Sequence, residues 1–258
     1  MKAKKSYGQH FLNREDIAER IANSLQLTDE YTHILEVGPG RGMLTKYLLQ
    51  HDTPLTVVEA DRDMVLYLQK YYPQLKGHIV AQDFLKVPLD QLFAGQPFGL
   101  IGNFPYNISS QILFKMITFR EQIPEMVGMF QKEVAQRVIA GPGSKTYGVL
   151  GVLVQAYYEG AYLFHVDKGS FTPPPKVQSG VIRLTRRSQP LIRESEASLF
   201  RQVVKGAFGQ RRKMLRNTMK PFIKDTQILQ EDFFRQRPEQ IGLNDFIELT
   251  RRIASLSS

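Results

Sequence analysis

Short apolar runs rich in β-branched residues recur along the first half of the chain, and helical periodicity fills the gaps between them. The runs are HILEVG (33–38), LTVVEA (55–60), HIVAQD (78–83), FGLIGNF (98–104) and EMVGMF (125–130). Apolar residues repeat at helical spacing over 13–25, 42–50, 61–71, 109–119 and 131–140. Strands alternating with helices in this way predict a parallel sheet covered on both faces. A further helix is expected around 147–158, followed by strands at AYLFHV and VQSGVIRL. The Pro-rich segment FTPPPK between those strands is too short for a crossover helix, so they are expected to form an antiparallel hairpin at the sheet edge. From 195 to 258 the pattern holds helices only. The expected domains are an α/β domain over 1–187 and a small, basic helical domain over 188–258.

Composition narrows the chemistry. The 258 residues contain no Cys, which excludes disulfides, thiolate catalysis and zinc–thiolate sites. The five His lack metal-ligand spacing, so no metal site is read. The N-terminal MKAKKSYGQHFLN is basic but has no apolar signal-peptide core. No run approaches the roughly 20 apolar residues of a membrane span. A cytoplasmic monomer with no membrane partner is the expectation. Net charge is +9, yet residues 168–224 alone carry 14 Lys or Arg against 2 Glu. Positive charge concentrated in one stretch favours a polyanion, nucleic acid above all. A merely solvated basic surface is the alternative.

ILEVGPGRGMLTKYLL reads as a strand, a Gly-rich turn and a helix. Gly38, Gly40 and Gly42 permit a tight turn and close approach to a ligand. The dinucleotide fingerprint needs a third Gly at position 43, which is Met43. The turn therefore suits a cofactor that brings no phosphate to it, and it disfavours a nicotinamide oxidoreductase. Glu59 ends the second run, where a carboxylate could accept from ribose hydroxyls. Asp83 ends the third, where it could accept from an adenine amine. Asn103 ends the fourth. Any one such acid is more often a helix N-cap. Four in succession, at the strand ends where open α/β sheets bind ligands, favour a site.

The set LEVGPGRG, VEAD, QDFL and NFPYN resembles the S-adenosylmethionine-dependent methyltransferases, and within them those that methylate the adenine N6 amine. YGQHFL, NFPYNISS, FTPPPKVQSGVIRL, FGQRRKMLRNT and RPEQIGLNDFIELT, in that order, resemble the bacterial small-subunit ribosomal RNA adenine N6-dimethyltransferases of the KsgA type. The likeness runs from Tyr7 to the C-terminus. It implies a Rossmann-like class I fold, with a seven-stranded, mostly parallel sheet ending in an antiparallel hairpin, plus a small all-α C-terminal domain. It implies cofactor contacts at His10, Leu12, Gly38, Gly40, Glu59, Asp83 and Asn103. The family usually has Asn where this chain has His10, and Leu where it has Phe104. A ring N–H can replace an amide donor.

The nitrogen of an exocyclic adenine amine is a poor nucleophile, because its lone pair is delocalised. Two acceptors on its hydrogens would localise and aim that pair. The Asn103 side-chain oxygen and the Pro105 carbonyl are the candidates, with Tyr106 stacked on the base and Phe104 packed inward. Phe171, stiffened by the prolines that follow, is proposed as a second ring sandwiching the base. The bland readings are a simple turn at NFPY and a packed loop anchor at Phe171. FGQRRKMLRNTMK reads as an amphipathic helix with Arg211, Arg212, Lys213, Arg216 and Lys220 on one basic face. Those cations would contact RNA phosphates, and RRSQPLIR and Lys4–Lys5 would extend the surface.

The resemblance implies a substrate of two adjacent adenosines in the 3′-terminal hairpin loop of 16S rRNA, within an assembling small subunit, each receiving two methyl groups. Two alternatives stay open. One is a 23S rRNA adenine dimethyltransferase of the antibiotic-resistance type. The other is an assembly factor acting mainly by binding.

Overall fold

A computed structural model of the chain describes residues 10–256. Tyr7–Gln9 and Lys4–Lys5, part of the motif and of the basic surface named above, lie outside them. By contacts the chain forms two compact units, Met1–Ala135 with Gly160–Arg186, and Gln136–Glu159 with Arg187–Ser258. The division falls inside a helix, and residues 136–159 cluster with the C-terminal helices, whereas the sequence reading had grouped them with the first domain.

In chain order the first unit opens with β1 (Phe11–Leu12), α1 (Glu15–Ala22), β2 (His33–Val37), α2 (Thr45–Leu48), β3 (Leu55–Val58) and α3 (Arg62–Tyr71). It continues through β4 (Ile79–Val80), α4 (Leu89–Leu92), β5 (Phe98–Asn103), α5 (Ser109–Thr118) and β6 (Glu125–Gln131). α6 (Lys132–Ile139) crosses the division and α7 (Val149–Gln155) belongs to the second unit; β7 (Tyr158–Val166), β8 (Phe171–Thr172) and β9 (Ser179–Arg186) complete the first. Seven strands form one sheet in the order β4-β3-β2-β5-β6-β9-β7. β2 pairs in parallel with β3 and β5, β3 with β4, and β5 with β6. β9 pairs antiparallel with β6, and β7 lies at the edge beyond it. This is the mixed, mostly parallel sheet of a class I methyltransferase fold.

The central strands are apolar on both faces because helices cover both. Ile34, Leu35, Leu100, Ile101, Met126 and Val127 are fully buried. The exception at the N-terminal ends of the strands is Glu125, also fully buried. Its carboxylate accepts from the N–H groups of Gln26 and Leu27 at 3.0 Å and from the Tyr31 hydroxyl at 3.3 Å. A charge so satisfied, at the end of the sheet away from ligand-binding loops, ties a connection to the sheet. A two-residue pairing of β1 with β8, Leu12 opposite Phe171, was not anticipated. Two-residue strands have no periodicity to read.

The second unit contains α8 (Glu194–Gly209), α9 (Leu215–Thr218) and α10 (Leu243–Leu256). Phe200, Val203, Val204, Leu215, Phe234 and Phe246 are among its fully buried side chains. Among the described residues no helix is long and apolar enough to cross a membrane. Among them no cluster of His, Asp or Glu could hold a metal ion.

Candidate active site

The strand order reverses between β2 and β5, so the loops that leave their C-terminal ends diverge and open a crevice. A cleft of about 730 Å³ lies there, lined by the ends of β2, β3 and β5 and by the segment from His10 to Asn13. The Gly turn forms one wall. Gly38, Gly40 and Gly42 all have positive φ, at +68°, +57° and +78°. The turn could not form with side chains at these positions without strain. Gly42 is doubly constrained: a Cβ there would lie 2.4 Å from the Tyr72 ring, whose hydroxyl donates to the Gly42 carbonyl at 3.0 Å. Tyr72, and not a ligand, fills the space over Gly42.

Three carboxyl groups line the same cleft: Glu36, Glu59 and Asp83. Glu59 is buried, and burial pushes its acidity weaker than usual. Opposing this, the Gly40 N–H donates to Oε2 at 3.1 Å and the Asp61 N–H to Oε1 at 2.8 Å. A carboxylate has about four acceptor positions, so room is left for a diol. Asp83 is half-buried and caps the short turn that follows, accepting from the Leu85 N–H on Oδ1 at 2.9 Å. It is a cap and a cleft residue at once.

Two residues the sequence reading did not single out bear on the site. Glu36 is buried in β2 beside the Gly turn, and burial pushes its carboxyl up to about 8. The Thr45 hydroxyl donates to it at 2.6 Å. An acid inside the apolar run HILEV was the available signal, since buried carboxyl groups are rare away from function or pairing. Lys115, on α5, donates to the carbonyls of Phe84, Leu85 and Val87 at 2.7, 3.0 and 2.6 Å. It fastens the loop that presents Asp83. Nothing in one sequence announces such a contact.

The NFPY segment leaves β5 into the cleft. Phe104 is buried against Phe130, at 5.0 Å between ring centroids, and anchors the segment from below, as expected. It occupies the space over Gly128, where a Cβ would lie 2.3 Å from its ring. Asn103 is oriented: its Nδ2 donates to the His10 carbonyl at 3.0 Å. Its Oδ1 accepts no hydrogen bond from the described residues and borders the cleft. The Pro105 carbonyl accepts two long bonds, from the Ile108 N–H and the Ser109 hydroxyl, both at 3.3 Å. Tyr106 is half-buried in the cleft wall. The structure thus brings His10, Leu12, Gly38, Gly40, Glu59, Asp83, Asn103, Pro105 and Tyr106 to one cavity.

Two expectations are corrected. Phe171 does not present its ring to the cleft: it is 2% exposed and belongs to the core cluster with Leu12, Val166 and Val181. Pairing of β8 with β1 turns it inward, so it acts as the packed anchor of its loop. The run FGQRRKMLRNTMK is not one helix. α8 stops at Gly209, Gln210 adopts φ −129° and ψ 66°, and the next helix begins at Leu215. The Leu215 N–H donates to the Gln236 carbonyl at 2.8 Å instead of to the preceding turn. Arg212 and Lys213 therefore sit exposed on a turn, with Lys220 exposed beyond α9 and Arg216 half-buried. Arg211 donates to the Ser144 carbonyl at 3.1 Å and approaches Glu239 at 3.8 Å, so it also holds its own unit together.

The donor set fits a nucleoside cation. Glu59 and Asp83 offer acceptors to a diol and an amine, and a cation beside Glu36 would favour its ionised form; Arg41 and Lys46 line the same cleft. The turn offers no long helix N-terminus to an anion, because α2 has only four residues.

Comparison with known proteins agrees. The family model described as ribosomal RNA adenine dimethylase matches residues 1–248. The chain is 50% identical to the ribosomal RNA small subunit methyltransferase A of Bacteroides thetaiotaomicron over 98% of its length and 94% of that protein. With the protein of the same name from Parabacteroides distasonis it shares 52% over 97% of its length and 93% of the relative. Among solved structures, a dimethyladenosine transferase from Plasmodium falciparum superposes with a TM-score of 0.80 at 23% identity, covering 95% of this chain and 98% of that one. The 23S rRNA methyltransferase ErmE superposes with a TM-score of 0.67 at 25% identity, covering 95% and 99%. With the family model matched over nearly the whole chain and relatives half identical end to end, the chain belongs to the ribosomal RNA adenine dimethylase family.

Proposed function

We propose that this protein dimethylates N6 of two adjacent adenosines in the 3′-terminal hairpin loop of 16S rRNA, using S-adenosylmethionine, during assembly of the small ribosomal subunit in the cytoplasm. The observation that carries the reading is the orientation of Asn103. Its amide nitrogen is held by the His10 carbonyl, which leaves the amide oxygen to accept from a substrate amine beside the Gly turn.

S-adenosylmethionine would supply a methyl group already activated on a sulfonium. Glu59 would take the ribose diol on its remaining acceptor positions, and Asp83 the adenine amine on its second oxygen. Glu36 and the Gly turn would face the methionine end, where a cation favours the ionised carboxylate. In the first transfer Asn103 Oδ1 and the Pro105 carbonyl would each accept one hydrogen from the target N6; in the second, N6 carries a single hydrogen and one of the two oxygens would hold it. At an ordinary 2.9–3.0 Å, such a donor would compete well for Pro105 against its two long partners. So held, the nitrogen would direct its lone pair at the methyl carbon. Tyr106 stacks on the base and fixes its plane. The transferred carbon forms its bond to N6 as its bond to sulfur breaks. The nitrogen then loses a proton, made acidic by alkylation, to solvent. Positioning and electrostatic complementarity supply the rate, and no strong base is needed.

The half-identical relatives carry the small-subunit name over nearly their full length, which favours 16S over 23S rRNA as substrate. Arg212, Lys213 and Lys220 would contact phosphates of that RNA, with Arg211 and Arg216 behind them. The test is incubation with radiolabelled S-adenosylmethionine and under-methylated small subunits, followed by mapping. Label recovered as N6,N6-dimethyladenosine at two adjacent positions near the 16S 3′ end supports the proposal. Label confined to 23S rRNA, or to another nucleoside, overturns it.

A further inference from the structure

A stacking platform works only if its ring is in place before the base arrives, and Tyr106 is held from two sides. Its hydroxyl lies 2.5 Å from Ser179 Oγ. Ser179 is fully buried and opens β9, where it pairs with Gln131 at the end of β6. The strand ladder fixes the serine, so it cannot follow a swinging ring. The His10 ring stacks on the Tyr106 ring at 5.5 Å between centroids and 28° between planes. His10 is itself tethered, with Nδ1 2.9 Å from the Pro173 carbonyl. Its own carbonyl receives the Asn103 amide. One residue thus braces the platform with its ring and aims the amine acceptor with its backbone.

We propose that Ser179 and His10 are positioning residues that preset the Tyr106 ring, and with it the plane in which the target base is received. The proposal rests on the stacking role given to Tyr106 above. A general need to satisfy tyrosine hydroxyls does not account for the Ser179 contact. The fold leaves the buried hydroxyls of Tyr147 and Tyr162 without a hydrogen-bond partner, and neither residue borders the cleft.

The experiment measures methyl transfer at saturating cofactor, cofactor affinity, and quenching of 2-aminopurine placed at the target position of a substrate RNA. Tyr106→Phe keeps the ring and removes the hydroxyl, while Ser179→Ala removes its partner. Each is expected to slow turnover about threefold to tenfold, the worth of one hydrogen bond, and to weaken quenching. The double variant is expected to be no slower than either single one, with cofactor affinity unchanged throughout. His10→Asn, which removes the ring, is expected to slow turnover at saturating cofactor and to weaken quenching. Wild-type rates and quenching in Tyr106→Phe and Ser179→Ala, or additive losses in the double variant, would overturn the Ser179 role. Weakened cofactor affinity with normal turnover in His10→Asn would overturn the His10 role. Tyr106→Ala separates the two levels: a dead variant upholds the stacking role, and an active one removes it and the presetting together.

Discussion

Replacing Glu36 with Gln preserves the shape of a buried side chain and removes its titration. In the folded chain burial holds the Glu36 carboxyl at about 8, against an ordinary 4.5. Between these values the folded state keeps a proton that the unfolded chain has released. Stability from this group is therefore fully present below pH 4.5 and is lost as pH rises to about 8. A gap of about 3.5 units at about 1.4 kcal/mol each places the full loss at about 5 kcal/mol, of which about 4 kcal/mol falls between pH 5 and pH 9. The Glu36→Gln variant keeps an acceptor for the Thr45 hydroxyl and has no such dependence. Urea unfolding of both proteins from pH 5 to pH 9, without cofactor, reads the effect of Glu36 together with its coupling to Glu59, because more distant groups cancel in the difference. Wild type is expected to lose about 4 kcal/mol relative to Glu36→Gln across that range. Parallel pH profiles would refute the reasoning. The same logic predicts that affinity for a cationic cofactor rises with pH through about 8 in wild type and that the variant loses this rise.

Lys115→Met removes three donors to the carbonyls around Asp83 and is expected to weaken cofactor binding at least tenfold, with a smaller change in turnover; isothermal titration and saturating kinetics separate the two. Gly128→Ala forces a methyl to within 2.3 Å of the Phe104 ring. A loss of about 1–3 kcal/mol in denaturant unfolding is expected, together with slower methyl transfer, because Phe104 underpins Asn103 and Pro105. The double substitution Arg212→Ala, Lys213→Ala is expected to weaken RNA binding and to reduce the slope of log affinity against log salt by about 2 units, without lowering thermal stability. Arg211→Ala is expected to lower it, since Ser144 and Glu239 lose a partner.

What the sequence showed of this protein was whatever has a period or a run. β2, β3, β4, β5 and β6 were legible because buried parallel strands are short, apolar and β-branched, and the C-terminal ends of the first four then located Gly38, Glu59, Asp83 and Asn103 together. β1 and β8 were not legible, because two residues cannot show alternation, and with them went the fate of Phe171. The basic stretch looked helical because Arg, Lys, Met and Leu at helical spacing satisfy that pattern. Gly209 and the bond from Leu215 to the distant Gln236 carbonyl decided otherwise. Glu36 was visible as an acid in an apolar run but was read as part of the strand. Lys115 and Ser179 act through contacts across the fold, which no local pattern encodes.

The central claim is that Asn103 Oδ1 and the Pro105 carbonyl together hold the target amine. A crystal structure with S-adenosylhomocysteine and an adenosine-containing RNA measures this directly. The account predicts N6 within about 3.2 Å of both oxygens, with the base stacked on Tyr106. A base seated in the cleft with its amine turned away from Asn103 would contradict it.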